Sequence, residues 1–388
     1  MKEYFKDIKA AFKPKHYVNY LIVVVALGLF TGLQLGGVLN RSTPILLNQI
    51  GYSIILAVSL NLVVGFLGEL SLGHAGFMCV GGYLGTFVAN AMVKAGAGVV
   101  PSLLVSMLVG GVAAGIFGFI VGLPALRLRG DYLAIVTLAF GEIVRNICKN
   151  LPFFGGAMGL TSEIARVNLG KKAVPLFIIS FTVVLVMLAL VQNLIKSKHG
   201  RAITAIRDNE IAARSMGVNV TFYKLLVFVL SAVFAGIAGS IYGAGVTPVE
   251  YSVFSYNYSI EILVMVVLGG MGSIGGSMAA ATAITVINYF LKANLTGDMA
   301  AIKTLIYAVI LIAIVVYKNA PALKSFREEH NFKKLISGFV AKHSNPATVK
   351  DDGAEWDVIP TKIEMNEVLS TDLVVNESTV TPDKEEEK

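Results

Sequence analysis

Long apolar runs recur along this chain from Tyr17 to Tyr317. A helix of about 20 apolar residues crosses a hydrocarbon core roughly 30 Å thick. No water is available there to satisfy backbone amides, so a spanning segment must pair them within itself as a helix or around a closed barrel. The runs are too long for barrel strands. They predict an all-α, polytopic membrane bundle with about 8–10 transmembrane helices. Only 15% of the 388 residues are charged and 55% are hydrophobic, whereas soluble domains carry about 25% charged residues. A soluble globular enzyme is excluded.

The candidate spans are Tyr17–Leu39, Ile45–Val64, Ala75–Val93, Val99–Leu123, Tyr132–Ile147, Val174–Ile195, Phe222–Val246, Tyr258–Leu268, Gly275–Leu291 and Ile302–Tyr317. Two are atypical. Tyr132–Ile147 carries Glu142 and Arg145, and Tyr258–Leu268 is short enough to be a half-span. The lysine-rich start resembles a signal-peptide n-region, but the apolar run behind it is too long for one, so it reads as a retained span.

Lys and Arg kept inside set membrane orientation. On a ten-span map the N-terminal stretch, the Arg127–Arg129 turn, the Lys196–Lys224 loop and the Lys318–Lys342 segment fall on one side, with 5, 2, 6 and 6 basic residues. That side is the cytoplasm, and both termini lie there, in a multi-pass protein of a plasma (inner) membrane. The Lys149–Lys172 loop dissents by carrying four basic residues on the outer side. The chain thus divides into a basic N-terminus (1–16), a transmembrane region (17–317), a basic cytoplasmic segment (318–343) and an acidic tail (344–388). The tail holds 4 basic and 12 acidic residues with no apolar period, so it buries too little surface to offset ordering.

Basic residues confined to short inter-span loops do not form a nucleic-acid footprint. Cys79 and Cys148 are not spaced as a disulfide or metal framework. Glycine recurs 39 times, with small-residue pairs at Gly32/Gly36, Gly81/Gly85, Gly111/Gly115, Gly118/Gly122 and Gly239/Gly243, the spacing that lets helix backbones approach in lipid. Two glycine-rich breaks stand out, GFLGELSLGHAG over residues 65–76 and LGGMGSIGG over 268–276. The second spells a dinucleotide fingerprint but lies between two spans and not in a strand–helix unit. Irregular backbone near a membrane is tolerated where protein or water covers it, and such breaks line transport pathways. Glu69 and His74 in the first break are therefore pathway candidates. Glu142 and Arg145 join them, because intramembrane charge is costly and a pair three residues apart shares a helix face. An ordinary tight loop and a merely structural ion pair are the competing readings.

The Lys198–Gly217 segment reads as two short helices. Asp208 or Asn209 caps the second, and Gly217 ends it in the left-handed conformation. Ala202, Ile203, Ala205 and Ile206 share one side; Ala212 and Ala213 keep a small face beside an apolar knob of Ile211 and Met216; Arg201, Arg207 and Arg214 form a charged rim. A solvated loop has no use for apolar residues so bounded, and the segment reads as a docking element for another protein. A helix lying in the lipid interface is the alternative. No phosphate-binding Gly-x-x-x-x-Gly-Lys-Ser/Thr, Gly-x-Ser-x-Gly or His-Glu-x-x-His motif occurs, so no cofactor is expected and any nucleotide site must be on another subunit.

Residues 209–217, NEIAARSMG, resemble the coupling motif of ATP-binding-cassette importer permeases. Ala213 and Gly217 keep the motif's spacing, whereas Ile211 separates Glu210 from the alanine pair that it ordinarily adjoins. GDYLAIVTLAFGEIVR (130–145) and NLVVGFLGELSLGHAGF (61–77) resemble the LivM-type permease subunit of branched-chain amino acid importers, and HGRAITAIRDN (199–209) and GGMGSIGG (269–276) fit the same family. The resemblance covers about residues 45–317. It implies a LivH-type permease partner, two cytoplasmic ABC ATPases that push on Arg201, Arg207, Glu210, Ala212, Ala213 and Gly217, and an extracytoplasmic substrate-binding protein. Other importers of this architecture take urea, amides or other amino acids. An ion-coupled secondary transporter is the competing class, and a membrane scaffold without transport is a third.

Overall fold

A helix surrounded by lipid has no aqueous side, so side-chain size, more than polarity, decides which face turns inward. The computed structural model describes residues 18–35, 42–128, 130–169 and 176–294, with positions 309 and 312. The described helices begin with α1 (Val18–Leu35), α2 (Ser42–Asn61), α3 (His74–Lys94) and α4 (Val99–Ala125). Then follow α5 (Asp131–Asn150), α6 (Glu163–Leu169), α7 (Leu176–Lys196), α8 (Lys198–Asp208) and α9 (Glu210–Ser215). The described part closes with α10 (Val220–Gly245), α11 (Tyr256–Gly269) and α12 (Ile274–Asn294). A π-helical turn, Leu62–Leu67, extends α2.

Every candidate span up to Leu291 coincides with a helix. The last, Ile302–Tyr317, lies outside the described residues, as do the 1–16, 318–343 and 344–388 segments. Six of the described helices are long and apolar enough to cross a bilayer. The apolar part of α1 and helix α11 are shorter, and α5 carries Asp131, Glu142, Arg145 and Lys149 within 20 residues.

The centre belongs to α2, whose residues from Ile50 through Gly65 are all buried. It packs against α7, α10, α11 and α12. Beside it, α3, α4 and α10 form the tightest part of the bundle. Helix α4 shows how size orients an all-apolar helix. Leu104, Leu108, Val112, Ile116, Ile120 and Leu123 are exposed along one stripe, while Gly110, Gly111, Ala114, Gly115, Gly118 and Gly122 are buried on the other. A Cβ on Gly81 would strike the backbone of Gly236, and one on Gly236 would lie 2.5 Å from the Ala114 Cβ and the Gly110 carbonyl oxygen. The Ser240 hydroxyl, 3.1 Å from both the Gly81 and the Ser106 carbonyl oxygens, donates into the same three-helix junction. Four of the five small-residue pairs therefore sit at close helix contacts. Gly32 does not, since a Cβ there meets nothing within 4 Å.

The connections sort to two ends. At one, the 65–73 loop, the α4–α5 turn, the α8–α9 hairpin and the 269–274 break meet one another. At the other, Leu160 pairs with Val249, Asn90 bonds Thr161 and Glu163, and Lys149 lies 5.0 Å from the Tyr251 ring centroid. These are the groupings that the alternating ten-span map requires, and the described part of the 149–172 loop, through Leu169, falls with the second. Phe154 and Phe254, from the connections at that end, pack on Tyr83 with centroids 5.2 and 5.9 Å away.

If glycine at the three-helix junction sets the helix spacing, Gly236→Leu will destabilise the bundle by at least the roughly 1–3 kcal/mol of core overpacking. Gly32→Leu will leave it unchanged. Thermal unfolding in detergent, followed by loss of the monodisperse peak, separates the two outcomes.

Candidate functional site

The hairpin is built from its caps inward. The Ser197 hydroxyl accepts the His199 and Gly200 amides, 3.1 and 3.4 Å away, and starts α8 directly after α7. The turn is so sharp that a Cβ on Gly200 would strike the Ile195 carbonyl group. Ile203 and Ile206 point into the bundle and are buried, whereas Ala205, on the side predicted to be shared with them, is exposed. Of the two candidate caps it is Asn209 that serves, its side-chain oxygen 3.0 Å from the Ala212 amide. Gly217 follows α9 at φ 82°, in the left-handed region that favours glycine. On the outer side Ile211 and Met216 are 72% and 84% exposed, while Ala213 is buried and Ala212 is not. Arg201 is also exposed.

The inner side is seated on the first glycine-rich break, and Arg207 Nη1 would lie 3.7 Å from a Cβ on Gly272 of the second. Arg207 Nη1 donates to the Gly65 carbonyl oxygen at 3.2 Å, and a Cβ on Gly68 would lie 2.7 Å from the arginine Cγ. The same guanidinium pairs with Asp208 at 2.9 Å. Asn61 ties the breaks together. Its amide nitrogen donates to the Ser273 carbonyl oxygen (3.1 Å) and the Ser277 hydroxyl (2.9 Å), and its oxygen accepts the Gly272 amide (2.9 Å). A Cβ on Gly65 would strike the Asn61 oxygen and the Gly272 nitrogen, so only glycine permits this approach.

A second link is ionic. Lys224, in the first turns of α10, donates to Glu69 of the 65–73 loop and to Glu210 of the hairpin, the latter at 3.2 Å. Glu210 also pairs with Arg214 at 3.0 Å. The Lys224 and Glu69 side chains are 5% and 13% exposed. A charge held this far from water is tolerated only when its counter-charges are in place. Displacing the hairpin therefore loads the loop, the central helix and the second break together.

The sequence profile described as "Branched-chain amino acid transport system / permease component" matches residues 43–315, which include every residue of this arrangement. The chain belongs to that permease family. It is 37% identical over 261 residues to the "High-affinity branched-chain amino acid transport system permease protein LivM" of Salmonella typhimurium, covering 60% of each chain. It is 26% identical over 310 residues to a "Probable branched-chain amino acid transport permease protein LivM" of Methanocaldococcus jannaschii, covering 69% of this chain and 89% of that one. It is 32% identical over 146 residues to the "L-arabinose transport system permease protein AraH" of Escherichia coli, covering 37% and 43%. The chain thus spans about 60% of the Salmonella relative's length. No solved structure gives a significant match.

Within this permease-family chain the other candidate residues fall in two further places. His74 opens α3 and is buried, its Nε2 lying 2.7 Å from the Ser59 hydroxyl of α2. Around it the Leu72 and Ala75 amides donate to Thr137 and Ser259, both at 3.0 Å, so the first break is enclosed by α5 and α11. Glu142 and Arg145 stand farther along α5, paired at 2.6 Å with both side chains 24% exposed. The other Glu142 oxygen accepts the Tyr256 amide (3.0 Å), holding the start of α11, and Arg145 lies over the Tyr251 ring at 5.9 Å. Glu261 accepts a hydrogen bond from Asn288 between α11 and α12. Cys79 and Cys148 are free and buried. Among the described residues no cluster of three or more His, Cys, Asp or Glu is placed to hold a metal.

Sequence reasoning passed over Asn61 and Lys224. Each carried a signal, since a lone Asn ending one apolar run and a lone Lys opening another must find partners in lipid. Lys224→Met leaves the Glu69 carboxylate buried without its cation, and a cost of about 3–5 kcal/mol follows for breaking such a pair. Glu69→Gln keeps Lys224 against Glu210 and will cost less. Chemical unfolding of the two variants in detergent ranks them.

Proposed function

We propose that the chain is the transmembrane permease subunit of an ATP-binding-cassette importer for branched-chain amino acids, without a nucleotide site of its own and driven by separate ATPase subunits. The observation that carries this reading is the two-sided hairpin. Its outer knob, Ile211 and Met216, is exposed, while Arg207 binds Gly65 of the first irregular break and Glu210 binds Lys224, which also holds Glu69 of that break. A pair of cytoplasmic ATPases that binds the knob differently in its open and closed arrangements shifts the permease between two states, because a ligand moves an equilibrium only by its differential affinity. The force then passes through Arg207 and Lys224 to the 65–73 loop and the π turn. Arg201 and Ala212 belong to the face that the ATPase meets, the buried Ala213 supports that face from beneath, and Gly217 sets its exit from α9.

The branched-chain amino acid assignment rests on the names of the most similar relatives. The shorter likeness to an arabinose permease fits a frame shared among substrates, with selection made largely by an extracytoplasmic substrate-binding protein. A LivH-type subunit completes the membrane pathway, in a plasma (inner) membrane with both termini in the cytoplasm. Glu142 and Arg145, partly exposed, are retained as pathway residues. Glu69 and His74, enclosed at the first break, transmit the hairpin's movement and do not meet substrate.

Glu210→Lys combined with Gly217→Asp will reduce ATP-driven uptake by the reconstituted complex to background, with ligand capture by the binding protein unchanged. Because the first change also disturbs Lys224, Ile211→Asp on the exposed knob is the second variant, with the same uptake result and normal membrane insertion. Wild-type uptake in either variant, or uptake sustained by an ion gradient with the ATPases omitted, would overturn the reading.

A further inference from the structure

At the hairpin end, a cavity of about 390 Å³ opens between the last turn of α4, the hairpin and the start of α10. Its charged wall is Arg127, Arg214, Lys224 and Glu210; Leu123 and Leu225 contribute to the apolar wall. Two carboxylates answer the three cations. Glu210 binds Arg214 through one oxygen and Lys224 through the other, and Glu69 binds Lys224 from behind. Arg127 is exposed and makes no ion pair among the described residues. One positive charge is left over in a recess at the edge of an apolar bundle.

The recess lies at the foot of the exposed stripe of α4. Leu123, 45% exposed, is both the last residue of the stripe that begins at Leu104 and a wall of the cavity. An acyl chain lying along Leu108, Val112, Ile116 and Ile120 would bring its headgroup to Arg127. We propose that the cavity holds the phosphodiester headgroup of an anionic glycerophospholipid, bound by Arg127 and Arg214, with its acyl chains on the α4 stripe. The guanidinium fork suits phosphate, and basic residues just outside a span attract anionic lipid. The free phosphate anion shares this chemistry, but the apolar wall continuous with the stripe favours the lipid. Bound there, the lipid bridges α4 to the hairpin and makes the coupling element sensitive to membrane composition. This assignment needs only the span reading and stands apart from the transport assignment.

The test is native mass spectrometry of the full-length chain released from detergent carrying dioleoylphosphatidylglycerol or dioleoylphosphatidylcholine. One phosphatidylglycerol per chain is expected to survive activation, with phosphatidylcholine lost. Arg127→Gln should weaken phosphatidylglycerol retention about fivefold, the effect of one basic residue near an anionic surface, and Arg127→Lys should restore most of it. Arg166→Gln, at the opposite end of the bundle, should change nothing. Equal retention of the two lipids, no loss in Arg127→Gln, an equal loss in Arg166→Gln, or displacement of the lipid by excess inorganic phosphate would each overturn the proposal. So would a second protein subunit found covering the α4 stripe.

Discussion

Lys224 is held between Glu69 and Glu210, and the rest of the structure's logic depends on that contact. It joins the loop after the central helix to a hairpin and to a helix start whose Lys224 lies 155 positions beyond Glu69 in the chain. The Lys224 and Glu69 side chains are nearly shut off from water, so solvent cannot replace the cation that Glu69 holds. The ionic link and the Arg207 bond to Gly65 make the hairpin a fixed part of the bundle on its inner side. What remains outside is a small apolar knob, Ile211 and Met216, with a basic rim.

The membrane interior follows a different rule. Hydrophobicity holds no two helices together when the surroundings are equally apolar. Here glycine brings α3, α4 and α10 into backbone contact at Gly81, Gly110 and Gly236, and Ser240 adds a hydrogen bond across the junction. The same device serves the irregular segments. Gly65 and Gly272 come so close that Asn61 satisfies the backbone of the second break from the end of α2. Polar groups in lipid are costly until paired, and in this bundle serine, threonine, asparagine and histidine supply those pairs at the helix ends, where the chain leaves regular structure.

The legible part of the sequence was the part governed by local rules. Apolar run length announced the helices, capping residues and Gly217 marked the hairpin's ends, and the basic loops sorted into two groups that the structure keeps apart. Less was legible where two faces looked alike. Ala205 and Ile206 are neighbours in an apolar stretch, yet only the isoleucine is buried. Gly32 carries the same spacing as Gly81 but meets no neighbour. The pairing of Glu69 was not legible because its counter-ion lies 155 positions away in the chain.

The sequence by itself determined that this chain forms apolar helices in a bilayer, where the two breaks fall and that a capped, amphipathic hairpin lies between two spans. Each of these follows from interactions within a few residues along the chain. Only the tertiary structure decided that the two breaks touch, that Asn61 fastens the second, and that Lys224 and Arg207 hold the hairpin to the first. Pairing of buried polar groups depends on distance in space, and in a helical membrane protein residues adjacent in space are commonly hundreds of positions apart in sequence.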